Sequence, residues 1–328
     1  MDNQSGHSIS ASHTAQGAGE NTPFRNNLDA IFKVFVSVCA AAVLFVITAI
    51  FVKLVQSSGL SIKKFGLSFL WSQSWNPVTG EYGALSSIFG TLVSTAIAMI
   101  LAVPLSLVIA LFLVELAPPK ISKPVGSAIE LLAAIPSIIY GMWGLFVFAP
   151  FMADHVQPLL GKTGEWLPLF SGPPMGIGML TAGIILALMI LPFISAVTRD
   201  VFQMVPAVVK ESAYGMGSTT WEATRKVTLR YGLSGVLGAA FLGLGRALGE
   251  TMAVTFVIGN NHEISASLFS AGNSIASTLA NEFAEASEPL YLSSLMELGL
   301  VLFLITFLVQ VAAQLWLIRV RKSAGRGL

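Results

Sequence analysis

The chain is polar at its start and then alternates long apolar runs with short polar breaks. Six apolar segments stand out, roughly 31–55, 83–114, 124–150, 176–198, 231–258 and 293–318. Each has at least the ~20 residues a helix needs to cross a hydrocarbon layer. The second and fifth are longer, which implies tilt or extension past the lipid. None shows the alternating ten-residue pattern of a membrane-spanning strand. The pattern predicts an all-α, polytopic membrane protein with six transmembrane helices. Residues 1–28, rich in Ser, Gly, Asn and Gln, read as a polar, disordered tail. Residues 29–322 read as one transmembrane domain. The first apolar run is too long and begins too late for a cleaved signal, so it is expected to remain as a helix.

Composition agrees. Of 328 residues, 54% are hydrophobic and 11% charged, against about 25% charged in soluble proteins. The net charge of +1 offers no bulk basic field for nucleic acid. The one cysteine, Cys39, excludes an internal disulfide framework and a cysteine metal cluster. It reads as a small buried hydrophobe. The four histidines, His7 and His13 in the tail among them, show no ligand spacing. No nucleophile with a base is visible, so neither a catalytic site nor a cofactor is expected. "LLGKTGEW" ends like a phosphate-binding loop, but Val156 stands where that motif needs its first glycine. With the N-terminus inside, twelve Lys and Arg fall in inner segments and three in outer ones. That asymmetry predicts both termini on the cytoplasmic side.

Five of the inner charges lie between the fourth and fifth apolar runs, in "RDVFQMVPAVVKESAYGMGSTTWEATRKVTLRYG". Pro206 suits a first helical position, and Gly217 suits a left-handed stop. Thr219 and Glu222 have capping-box spacing. The loop, residues 204–230, therefore predicts helix, glycine turn, helix. It resembles the EAA loop of ABC-transporter permeases. Glu211-Ser212-Ala213, three residues, Gly217, nine residues and Val227-x-Leu229-Arg230 keep that pattern's spacing. Ser212 replaces an alanine of the pattern and Arg230 a proline. The resemblance implies that Glu211, Ala213 and Gly217 dock on an ATP-hydrolysing subunit.

Three further stretches narrow the resemblance. "LAAIPSIIYGMWG" (132–144), "GLGRALGETMAVT" (243–255) and "MELGLVLFLIT" (296–306) look like the phosphate ABC permeases, of the PstC type. The likeness covers residues 25–322. It implies a type I importer permease (MetI-like) architecture in a bacterial inner membrane. The implied partners are a PstA-type second permease, a dimer of ATP-binding subunits and a periplasmic phosphate-binding protein. Alternatives are a permease for tungstate, molybdate or sulfate, and a phosphate-sensing membrane scaffold.

Arg246 and Glu250 stand out within the fifth run. Charge near mid-membrane costs ~2.5–3.5 kcal/mol on insertion scales and usually marks function. Residues four apart share a helix face, so the two are expected to pair. Two readings follow. The guanidinium lines an anion path, where Arg suits phosphate oxygens, or the pair only fixes helix packing. Ser137 and Tyr140, flanking Pro136, and Thr251, beside Glu250, either line the same path or bond neighbouring backbone. Pro104, Pro136 and Pro192 are expected to bend their helices. Glu130 and Glu297 read as interfacial or packing residues.

Overall fold

A computed structural model describes residues 23–163 and 168–324. The first unit, through residue 52, belongs to α1 (Pro23–Ser57). Residues 23–28 of the expected tail are thus helical, while 1–22, with His7 and His13, lie outside the described residues. The apolar side chains of α1 between Ile31 and Val52 are exposed, a surface suited to lipid. Cys39 is exposed among them and is not the buried residue expected.

The second unit begins with the end of α1, then α2 (Gly59–Phe65) and α3 (Ser68–Trp71). α4 (Leu85–Leu111) continues through a wide π-turn, Phe112–Leu116. α5 (Pro119–Ala133) follows. A rod comes next, made of α6 (Ser137–Trp143), α7 (Ala149–Phe151) and α8 (Gln157–Thr163) with π-turns between them. After α9 (Met179–Gln203) come α10 (Ala207–Gly215), α11 (Thr220–Ala223), a π-turn at Thr224–Thr228 and α12 (Leu229–Leu248). α13 (Met252–Thr255), α14 (Ile275–Glu282) and α15 (Pro289–Ala324) complete the chain.

Among the described residues, six helices are long and apolar enough to cross a membrane. Two differ from expectation. The third runs Ser137–Lys162 rather than 124–150, because the chain breaks at Ala134–Pro136 and α5 is a separate helix. Pro136 lacks an N–H and sits in the break instead of kinking a continuous helix. The fifth runs Thr220–Leu248 and stops ten residues early. α4 and α9 stay helical through Pro104 and Pro192.

α9 is the central post. Of its most apolar stretch 61% is buried, against 33% or less in the other spans. α12 runs antiparallel to it: Gly232 lies against Phe202, Gly235 against Val201 and Gly243 against Ile194. α5 and then α6 climb α9 in one direction, with Gly126 against Arg199 and Gly144 against Ile185. Small residues at these crossings let backbones approach, as packing in lipid requires. Ser106 of α4 donates to the Leu191 carbonyl at 3.0 Å. Arg199 pairs with Glu130 and Asp200, so Glu130 fixes α5 to α9. Glu297 is 6% exposed, deeper than an interfacial residue.

At the far end of the bundle from α10, the segment before α14 folds onto α4. Asn273 Nδ2 donates to Ser87 at 2.8 Å, and the Ile275 N–H donates to Thr91 at 3.0 Å. Glu282 accepts from Trp75 Nε1 at 2.7 Å and from Tyr291 at 2.6 Å, and His262 lies 3.1 Å away. Burial pushes the Glu282 carboxyl up, but the hydrogen bonds from His262, Tyr291 and Trp75 outweigh it and hold the group below its ordinary value. Burial, helped by Glu288 and Glu282, raises the Tyr82 phenol.

This end depends on Gly90, where an added Cβ would lie 1.8 Å from the Asn273 carbonyl oxygen. Gly90→Ala should therefore destabilise by roughly 1–3 kcal/mol, the usual range for overpacking. At Gly238, by contrast, a Cβ meets nothing within 4 Å. Gly238→Ala should gain up to ~1 kcal/mol of helix propensity. Thermal melts of the purified variants should move in opposite directions; equal melts would refute this packing.

Candidate functional site

Two helix breaks adjoin spans three and five, one just before Ser137 and the other just after Leu248. In span five the helix ends at Leu248 and restarts at Met252. Arg246 therefore sits in the last turn of α12, where unpaired carbonyls favour a cation. Its guanidinium carbon lies 5.7 Å from the Phe193 ring centroid, within cation–π range. Phe193 is fourteen residues from one end of α9 and ten from the other. Arg246 thus keeps its expected depth near the middle of the bundle, although its helix does not continue.

The expected ion pair does not form. Among the described residues, no carboxylate lies within 4 Å of the Arg246 guanidinium. The helix stops between the partners, so the four-residue spacing no longer places them on one face. Glu250 instead accepts from the Ala253 N–H at 3.1 Å and caps α13. Arg246 is half-buried, and among the described residues no side chain hydrogen-bonds it.

In span three the break lies just before Ser137. The Tyr140 hydroxyl donates back across it to the Leu132 carbonyl at 3.1 Å. Ser137 and Tyr140 are three apart on α6 and share a face; no hydrogen bond among the described residues holds the Ser137 hydroxyl. Gly141 brings the two spans together, since a Cβ there would lie 3.0 Å from Ala253 Cα and the Met252 carbonyl. The structure thus sets α6, with Ser137 and Tyr140, against α13, which follows the break after the helix of Arg246. Thr251 faces elsewhere, lining a mostly apolar cavity of about 570 Å³ with Leu279, Phe283, Leu295 and Leu302.

The loop between α9 and α12 has the expected form. Gly217 takes φ 84°, a conformation that costs glycine little. The Ser218 N–H closes on the Ala213 carbonyl at 3.1 Å. Both capping-box bonds of Thr219 and Glu222 are present. Pro206 precedes the first helical residue rather than occupying it. Ala213 is buried and Glu211 exposed. Met204, Val208, Met216 and Trp221 form an exposed apolar surface, each at least 67% accessible; such surfaces mark interaction sites. One residue was not singled out by sequence reasoning. Glu115, in the π-turn that ends α4, has a side chain only 7% exposed. It accepts from Lys210 Nζ at 2.6 Å and from Thr228 Oγ1 at 2.8 Å. A lone acidic residue at the end of an apolar run gives no sign of such partners.

Residues 102–322 match the family described as binding-protein-dependent transport system inner membrane component. The chain is 54% identical over 301 residues to the phosphate transport system permease protein PstC of Mesorhizobium japonicum, covering 90% of this chain and 92% of that one. It is 55% identical over 303 residues to the PstC of Pasteurella multocida, covering 91% and 94%. Among solved structures it is similar to a bacterial alginate ABC transporter, at 15% identity and TM-score 0.58 over 88% of this chain and 94% of that one. It is also similar to the inward-facing MetNI methionine ABC transporter, at 19% identity and TM-score 0.55 over 71% and 94%. These likenesses show the fold of ABC importer permeases.

Because Arg246 and Glu250 do not touch, their substitutions should act independently. Glu250→Ala should cost roughly 1 kcal/mol through the lost cap. In a double-mutant cycle with Arg246→Gln the stabilities should add within ~0.5 kcal/mol. A coupling above about 1 kcal/mol, read from denaturation of the purified variants, would restore the ion pair.

Proposed function

We infer the role of this chain from one premise: it belongs to the PstC family of phosphate transport permeases, within the binding-protein-dependent inner membrane components. A component of such a system works with a binding protein and an ATPase, so the ATP is hydrolysed by a partner and not by this chain. On our reading the chain forms half of an inorganic phosphate path across a bacterial inner membrane, beside a PstA-type second permease. A dimer of ATP-binding subunits docks on the α10–α11 loop. A periplasmic phosphate-binding protein delivers substrate at the opposite end, and both termini are cytoplasmic.

One observation carries the substrate reading: Arg246 is half-buried beside Phe193, near the middle of α9 and next to a helix break, with no carboxylate among the described residues to neutralise it. An oxyanion satisfies what the protein leaves open. The planar guanidinium offers paired N–H donors that match two phosphate oxygens. The Ser137 hydroxyl is free to donate, and Tyr140 can exchange its bond to the Leu132 carbonyl for one to the anion. Broken helices around a midplane site are the recurring frame for alternating access. The exposed apolar side chains of Met204, Val208, Met216 and Trp221, on and around α10 and α11, support docking of the ATPase, and Gly217 turns the chain between the two helices.

The test is radiolabelled phosphate uptake in cells lacking their own high-affinity system but supplied with all partner subunits. The natural chain should restore uptake. Arg246→Gln should lower it at least ~100-fold at equal membrane levels, the scale of losing a charged hydrogen-bonding group worth about 3 kcal/mol. Undiminished uptake with Arg246→Gln would remove Arg246 from the path. Uptake of tungstate, molybdate or sulfate in place of phosphate would reassign the substrate.

A further inference from the structure

Glu115 joins more elements than any contact predicted from the sequence. Its Oε1 accepts from Lys210 on α10 at 2.6 Å and from Thr228 at 2.8 Å. Thr228 ends the π-turn that leads directly into α12, the helix that carries Arg246. Glu115 itself lies in the π-turn that ends α4. The first turn of α5 ties into the same place, because Ser122 Oγ donates to the Leu113 carbonyl at 2.7 Å. α5 in turn ends at the break before Ser137. Apolar packing backs the joint, with Ala110, Phe202 and Val236 buried together against Leu111, Val114 and Leu229.

The chemistry favours a firm link. The carboxylate is 93% removed from solvent and Lys210 is only 20% exposed, so their attraction is little screened by salt. Removing one partner would strand a buried charge. The Thr228 hydroxyl takes part of the remaining acceptor capacity. π-turns, which interrupt regular helical bonding, sit at both ends of the Glu115–Thr228 bond and are common where helices serve function. The result is a three-way clamp that holds α10 to the roots of α4 and α12.

We propose that Glu115 is the positioning residue that makes α10 and α12 move as one body, so that displacement of the docked loop reaches Arg246. This rests on the reading of α10 as the ATPase-docking element. It is distinct from docking itself, because Glu115 is buried and offers nothing to a partner surface.

The test uses the complete transporter in liposomes, with the partner subunits and loaded binding protein. Glu115→Gln should leave assembly and basal ATP hydrolysis in place while phosphate moved per ATP falls about 10-fold. Lys210→Gln should do the same. The exchange Glu115→Lys with Lys210→Glu should recover most of the coupling, which a general packing defect would not permit. A second readout does not depend on what is transported. Spin labels at Ala207→Cys and Tyr231→Cys, in a Cys39→Ser chain, should keep one narrow distance with and without ATP. In Glu115→Gln that distance should broaden or shift by several ångströms. A narrow, unshifted distance in Glu115→Gln, or a distance that already changes with ATP in the natural chain, overturns the proposal. Failure of the natural chain to move phosphate would reject the substrate reading while the label distances still decide this one.

Discussion

Backbone that leaves a helix inside hydrocarbon exposes N–H and C=O groups with no water to meet them, so it survives only when buried in protein or when lining a wet cavity. Here two spans leave their helices side by side, at Ala134–Pro136 and at Gly249–Thr251. Much of the surrounding sequence answers that constraint. Gly141 lets the restarted α13 press on α6. Glu250 takes up an amide at the new helix start, and the Tyr140 hydroxyl adds a second donor to the Leu132 carbonyl, which also accepts from the Ile135 N–H.

Magnitudes decide how Arg246 should be understood. A charge at this depth costs ~2.5–3.5 kcal/mol. The carbonyl ends of α12 return roughly 0.3–1 kcal/mol, and the Phe193 face about 0.5–2 kcal/mol. The sum falls at or somewhat below the cost, so the guanidinium is tolerated but has binding capacity to spare. A purely structural arginine would be expected to spend that capacity on a carboxylate, yet Glu250 is occupied with the α13 cap. On the function proposed above, an arriving oxyanion completes the set.

The number of spans was legible because lipid imposes a length and polarity rule, although the bounds of the third and fifth were not. The glycine turn and capping box of the loop were legible because both are local: Gly217 needs only its own φ, and Thr219 reaches three residues ahead. The end of α12 at Leu248 was not. "GLGRALGETMAV" stays apolar and has no proline, and the helix yields there to the packing of Gly141 against Met252 and Ala253, a contact between distant segments. The same distance hid the function of Glu250, which spacing alone assigned to Arg246. Glu115 was unreadable for a related reason, since its partners lie 95 and 113 residues away. Arg246 stood out because intramembrane charge is rare, and it lies against Phe193, near the middle of α9, although its own helix ends two residues later.

The most direct measurement asks whether Arg246 sets the electrostatic character of the path. A cysteine at Ser137, in a Cys39→Ser chain assembled with its partners, is reacted with anionic and cationic thiol reagents of equal size. If Arg246 faces the path, the anionic reagent reacts several-fold faster, phosphate slows it, and the preference disappears in Arg246→Gln. Equal rates for the two reagents, or a preference unchanged by Arg246→Gln, would contradict an anion path at this arginine.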